Sequence, residues 1–174
     1  ISEKPKDVSG SVIISTVEGT RPMLLELQAL VAPTNFGMAR RTSTGVDFNR
    51  VALLLAVLEK RIGLQIQNQD VYINVVGGIK INEPSIDLGI VIAVASSFRN
   101  IPIASDVVVT GEVGLTGEIR AVSYIEKRIA ECKKLGFKKI VIPRNNYEAV
   151  KDVKGIEIIP VDNLRQAINI VLRG

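Results

Sequence analysis

One serine stands where nucleophilic chemistry is conceivable. Ser85 follows the glycine turn Gly77-Gly78 and the segment Asn82-Glu83-Pro84, and it precedes the nearly unbroken apolar run Ile86 to Ala95. A hydroxyl at the head of a buried helix attacks a carbonyl only if a neighbouring base removes its proton. The same position suits a helix N-cap, with Pro84 preset for the first turn, and the residues alone favour that reading. The chain has no histidine, so the commonest general base and the commonest zinc ligand are both missing. The single cysteine, Cys132, rules out an internal disulfide and any multi-cysteine metal site. It reads as a small core residue of its helix. No metal site is expected.

The second class of candidates is cationic. The 174 residues carry a net charge of +4, which favours a phosphate-bearing partner only weakly. The distribution says more. Arg40-Arg41 sit in a long polar stretch, Ala32 to Gly45. Lys60 and Arg61 close an amphipathic segment. Lys127 and Arg128 belong to the stretch Gly117 to Arg144, which holds eight basic and three acidic residues. Loops as long as Ala32 to Gly45 inside compact domains tend to be functional or mobile, and arginine forks bind phosphate strongly. A charge run also serves simply to solvate a helix face. Aromatics make up 4% and tryptophan is absent, so stacking platforms for single-stranded bases are not expected.

These residues need elements to position them. Residues 1 to 10 read as a linker, polar and containing Pro5 and Gly10. Ser11 to Glu18 and Pro22 to Val31 read as a β-hairpin through Gly19-Thr20-Arg21. Asp47 to Ile62 has the period of an amphipathic helix, with Val51, Leu54, Leu55 and Leu58 on one face and Gly63 to end it. Asp70 to Val76 reads as a strand and Ser85 to Phe98 as a buried helix. Small residues Gly89, Ala93 and Ser97 form one ridge on that helix, where another backbone can approach. Strands follow at Asp106 to Val113 and Glu118 to Val122, then a helix at Ser123 to Leu135 and a strand at Lys139 to Ile142. A short helix at Asn145 to Val150, a strand at Ile156 to Ile159 and a helix at Asn163 to Leu172 complete the order. Two strands followed by alternating helices and strands indicate an α/β (or α+β) domain with mixed sheets, spanning residues 11 to 174. The longest apolar run, Leu88 to Ala95, is far shorter than the roughly 20 residues that cross a bilayer. No membrane partner is expected, and cysteine usage fits a reducing cytoplasm. Ile1 is not an initiator methionine, so the chain reads as a fragment or a processed product.

Six segments together resemble one family: EGTRPMLLELQALV, FNRVALLLAVLEKRIGL, QDVYINVVGG, EPSIDLGIVIAVASS, GEVGLTGEIRAVS and IEKRIAECKKLGFKKIVIP. In sequence and order they are similar to the Lon-protease-like C-terminal domain of the bacterial RadA (Sms) family of DNA-repair ATPases. The resemblance implies a fold like the Lon proteolytic domain, itself like the second domain of ribosomal protein S5. It further implies a homohexameric ring in which a zinc finger and a RecA-like ATPase precede this domain, so ATP, magnesium and zinc belong to those parts. The chain has no G-x-x-x-x-G-K-[ST] motif of its own.

Active Lon proteases pair a serine with a lysine whose burial favours the neutral amine. The resemblance puts Ser85 at the nucleophile position, Glu126 where the lysine belongs, and Thr110 at a supporting threonine. Glu83 and Asp87 flank the serine where small residues are usual. The dyad is therefore expected to be broken and the site kept as architecture. The resemblance implies a non-proteolytic module for hexameric assembly and non-specific DNA binding during branch migration of recombination intermediates, with the recombination machinery as partner. Arg40, Arg41, Lys60, Arg61, Lys127 and Arg128 are the expected DNA contacts. A pure oligomerisation scaffold and a residual Ser85 peptidase are the competing readings.

Overall fold

A computed structural model describes residues 4, 6–35 and 37–172. Its centre is a seven-stranded sheet. β1 (Ser11–Glu18) and β2 (Arg21–Pro33) form the expected hairpin, in register from Ser11 opposite Gln28 to Glu18 opposite Arg21. The full order is β3-β4-β2-β1-β5-β8-β9, where β3 is Arg41–Thr44, β4 Gln69–Val75, β5 Val107–Val109, β8 Lys139–Pro143 and β9 Glu157–Val161. Pairing is parallel except where β2 meets β1 and β4. β6 (Glu112–Val113) and β7 (Ile119–Arg120) make a separate small ribbon.

Alternate side chains of the strands feed two cores, as the period-2 geometry of a strand requires. Val12 and Ile14 of β1 and Val109 of β5 pack with α1 (Phe48–Val57), α2 (Asp87–Arg99) and α4 (Leu164–Val171). Ile13, Val108, Ile140 and Ile142 pack with α3 (Ile125–Lys134), through Ile125, Ile129 and Cys132. The sheet thus separates α1, α2 and α4 from α3. The small-residue ridge on α2 has the role its spacing suggests. A Cβ added at Gly89 would stand 2.2 Å from Ile14 Cγ2, so helix and strand approach here to a distance only glycine permits. Further along the ridge, Ser97 Oγ accepts the Val31 amide at 3.0 Å.

Local structure departs from the sequence reading in five places, beginning with the expected strand Asp106 to Val113, which breaks after Val109 and gives Glu112–Val113 to the small ribbon. The polar stretch Ala32 to Gly45 is not one loop, because Arg41–Thr44 adds a parallel edge strand to β4. The helix beginning at Asp47, whose carboxylate caps the Arg50 amide, ends in a π turn at Leu58–Ile62. Gly63 (φ 77°) then closes it as expected. The expected helix at Asn145 to Val150 is only a 3-10 turn at Arg144–Asn146.

The last departure is at the N-terminus. Residues 1–3 and 5 of the expected linker lie outside the described residues. Lys4, however, is buried, and its Nζ donates to the Ile103 carbonyl at 3.1 Å. Burial holds its amine below the usual lysine range, with Glu26 acting in the opposite sense. Gly10 donates its amide to Ser96 Oγ at 2.9 Å and accepts from the Ala29 amide at 2.8 Å. The described part of the segment is docked on the domain. Among the described residues no helix is long and apolar enough to cross a membrane.

Candidate functional site

Ser85 does not cap α2. It lies in a 3-10 turn, Pro84–Ile86, that leads into the helix, and its side chain makes no capping bond. The N-cap expectation fails because the hydroxyl turns toward β1. It is 3% exposed, with the Ser15 carbonyl at 3.2 Å and a carboxylate oxygen of Glu83 in direct hydrogen-bond contact. Its backbone is fixed from the other side: the Gly111 amide donates to the Ser85 carbonyl at 2.9 Å, and the Leu88 amide donates to the Gly111 carbonyl at 3.0 Å. Thr110, just before that clamp, is fully buried, and its Oγ1 has no hydrogen-bond partner among the described residues.

The group facing Ser85 across the site is Arg128. Its Nη1 donates to Ser85 Oγ at 3.2 Å and to the Ser15 carbonyl at 2.9 Å, its Nε donates to the Ser123 carbonyl at 2.7 Å, and its Nη2 is ion-paired with Glu83. The other Glu83 oxygen accepts the Val17 amide at 2.8 Å. Arg128 is 0% exposed. Its expected role as a DNA contact is therefore corrected: the guanidinium is spent on an internal network and cannot reach a phosphate without unfolding it.

Glu126, aligned with the lysine of the dyad, is exposed. Two residues along a helix is about 200°, so Glu126 and Arg128 leave opposite sides of α3. Ile125, Ile129 and Cys132 share the buried face with Arg128. Lys127 also projects outward and donates to the Thr20 carbonyl at 3.2 Å. The arrangement places a guanidinium donor on Ser85 Oγ beside the Glu83 carboxylate, and no amine. The one nearby acceptor with a charge, Glu83, could take the serine proton only by giving up its pairing with a buried guanidinium, which is costly.

A second buried ion pair supports the same turn. Asp87, fully buried, is bound by Arg50 of α1 through Nε at 2.9 Å and through Nη2, and it also accepts the Val113 amide at 3.1 Å. Asp87 raises the pKa of Arg50 above its usual value, chiefly by hydrogen bonding. The period of the helix after Asp47 gives Arg50 no such partner, so this role was missed in the sequence. A lone carboxylate at the head of an all-apolar helix was the available signal, since such a charge demands a partner.

The cations expected to contact DNA do not form one surface. Arg41 is tied down: its guanidinium donates to the Gln69 and Ile66 carbonyls and lies 3.7 Å from Glu59. That corrects its expected role, because its donors are already committed to the fold. Arg40 is exposed, and its loop is fastened by Asp70, which accepts the Arg40 amide at 2.7 Å and the Thr34 hydroxyl at 2.9 Å. Lys60 and Arg61 are exposed at the end of the π turn. Arg165, distant in sequence and unforeseen, joins them by donating to the Arg61 carbonyl at 3.0 Å. Among the described residues none of Lys60, Arg61 and Arg165 pairs with a carboxylate. Lys127 lies on α3, across the sheet from α1.

Residues 55–174 match the family of the Lon protease (S16) C-terminal proteolytic domain. Over all 174 residues the chain is 53% identical to the DNA repair protein RadA of Bacillus subtilis (strain 168) and spans 38% of that protein's length. It is 50% identical over 172 residues to the DNA repair protein RadA of Halalkalibacterium halodurans, covering 99% of this chain and 38% of that protein. Against the DNA repair protein RadA of Listeria monocytogenes serovar 1/2a it is 49% identical over 168 residues, covering 97% of this chain and 37% of that protein.

Proposed function

This chain belongs to the Lon protease (S16) C-terminal proteolytic domain family, and from that premise we propose that it is a non-proteolytic Lon-like module of a DNA-repair ATPase. In this reading it binds DNA without sequence preference and helps assemble a homohexamer that drives branch migration alongside the recombination machinery. ATP, magnesium and zinc belong to parts of the protein outside this chain. The identity of about half the residues to proteins named for DNA repair supports the biological setting. The geometry at Ser85 supports the loss of peptidase chemistry, since a buried guanidinium and a carboxylate stand where a neutral amine is needed.

The observation that carries the DNA reading is the cluster Lys60, Arg61 and Arg165, three exposed cations with no carboxylate among their described partners. Such groups contact phosphates and carry no sequence information. Salt-titrated fluorescence anisotropy on two unrelated duplexes tests it. Both duplexes should bind alike, with a log–log salt slope of about −0.9 per phosphate neutralised. The triple substitution Lys60→Ala, Arg61→Ala, Arg165→Ala should weaken both equally and flatten the slope. Failure of the unaltered chain to bind either duplex at low salt would leave assembly as its role. Light scattering across a dilution series reads that assembly directly.

A further inference from the structure

The tip of the small β6–β7 ribbon holds a leucine out in solvent. Leu115 lies in the turn Gly114 to Gly117 and is 64% exposed. A single exposed leucine is ordinary on a protein surface. Two independent features set this one apart: the turn beneath it is braced, and unpaired cations stand beside it.

Glu118 is the brace. Its carboxylate accepts the Thr116 amide at 3.2 Å and the Thr116 hydroxyl at 2.5 Å, and it pairs with Arg120 at 3.0 Å. The Thr116 hydroxyl is the chief cause that holds this carboxyl down at about 2, so the brace stays charged at neutral pH. A Cβ added at Gly114 would stand 2.2 Å from that carboxylate, so the turn closes over it to a distance only glycine permits. The Gly114 amide donates to the Glu118 carbonyl at 2.9 Å and the Gly117 amide to the Gly114 carbonyl at 3.0 Å. The base of the ribbon is fastened to the domain, because the Leu164 amide donates to the Gly117 carbonyl at 2.8 Å and the Ile119 amide to the Asp162 carbonyl at 3.1 Å. A side chain displayed on so fixed a backbone loses little freedom when it meets a ligand.

The cations reach this tip directly. Arg61 Nε donates to the Leu115 carbonyl at 3.2 Å, and a Cβ at Gly117 would stand 3.5 Å from Arg61 Cβ. Arg165 joins through the Arg61 carbonyl, and Lys60 adjoins in the chain. The matching ligand therefore presents phosphates and an apolar face side by side. Nucleic acid offers both, but an intact duplex hides the faces of its bases by stacking. Apolar side chains wedge between base steps in proteins that deform DNA. The cost of unstacking is least where pairing is already interrupted.

We propose that Leu115 is a wedge that packs against the open face of a base at a break in stacking while Arg61, Arg165 and Lys60 hold the flanking phosphates. The proposal rests on the DNA reading above and adds to it a preference for the form of the DNA, with none for its sequence.

The test uses the 174-residue chain and two labelled duplexes of one sequence, one intact and one carrying a bulge of unpaired adenines. By fluorescence anisotropy the bulged duplex should bind about tenfold more tightly, as burial of a leucine side chain allows. Leu115→Ser should lower the bulged duplex to the affinity of the intact one, with the salt slope and the thermal midpoint unchanged. Lys60→Ala, Arg61→Ala and Arg165→Ala together should weaken both duplexes alike. The chain has no tryptophan, so Leu115→Trp adds a single indole emitter, which the bulged duplex should quench by stacking and the intact duplex should not. Equal binding of the two duplexes, a preference that survives Leu115→Ser, or unquenched indole emission overturns the wedge and leaves the DNA reading standing. Binding of neither duplex at low salt overturns both. Self-association lost in Leu115→Ser gives the leucine to a contact between copies, and a lowered thermal midpoint gives it to the fold; either result overturns the proposal.

Discussion

Arg128 Nη1 lies 3.2 Å from Ser85 Oγ, while Glu126, one residue beyond Ile125 at the start of α3, faces solvent. A serine-reactive fluorophosphonate should therefore fail to label Ser85 at neutral pH. Glu126→Lys should not rescue labelling, because the new amine would project outward with Glu126's present side chain. Covalent labelling of Ser85 in either protein, detected by peptide mass mapping, would refute this account of the site.

The Arg128–Glu83 pair should be a strong stability determinant. Arg128→Ala leaves Glu83 without its counter-charge and the Ser15 and Ser123 carbonyls short of a donor. The expected cost is about 3 kcal/mol, at the lower end for a broken buried pair because Glu83 keeps some solvent contact. Glu83→Gln with Arg128→Met should cost less than the two single changes added together. Urea denaturation of the four proteins provides the cycle.

Gly89→Ala tests the contact of α2 on β1. Alanine favours helix by about 1 kcal/mol over glycine, but its Cβ would collide with Ile14 Cγ2 at 2.2 Å. Overpacking of this kind costs about 1–3 kcal/mol, so the net effect should be destabilising. Ile14→Ala, which removes Cγ2, should make Gly89→Ala less costly in the double mutant than it is beside Ile14, read from the thermal midpoints of the four proteins.

Cys132 should be inert in the folded chain. Burial pushes its thiol up to about 12, reinforced by the nearby charge of Glu131. The thiolate is the reactive form, so iodoacetamide at pH 9 should modify it only after denaturation. Rapid native-state alkylation would contradict its place in the α3 core.

Asp70 gives the Arg40 loop a pH dependence. The Arg40 amide, then the Thr34 hydroxyl, hold its carboxyl below the usual aspartate range. A depressed folded-state pKa contributes stability above the unfolded value, and that contribution is lost as pH falls through the folded one. Hydrogen exchange at the Arg40 amide, monitored below pH 4, should show protection falling as Asp70 takes up its proton. Asp70→Asn should remove that pH dependence while leaving the β4 amides protected.

The sequence makes much of this architecture legible and much of the site illegible, for different physical reasons. The hairpin, the helix after Asp47, the buried helix and its small-residue ridge all follow from local periodicity and turn chemistry. β3 escaped because its four residues, Arg41 to Thr44, are polar and become a strand only by pairing with β4. The site residues depend on contacts distant along the chain. Arg128 meets Ser85 over 43 positions and Arg50 meets Asp87 over 37. The family resemblance assigns Glu126 to the lysine position by its place along the chain, whereas the helical face that packs on the sheet decides that Arg128 enters the site. Arg165 joins Arg61 for the same reason, across 104 positions.

The sheet that divides α1, α2 and α4 from α3 also divides four exposed cations. Lys60, Arg61 and Arg165 stand on one side of it and Lys127 on the other. In the DNA-binding reading proposed above, these four cations would meet a polyanion on two different faces of the domain. Charge removal on the two sides should reduce affinity additively, as for sites with no common partner.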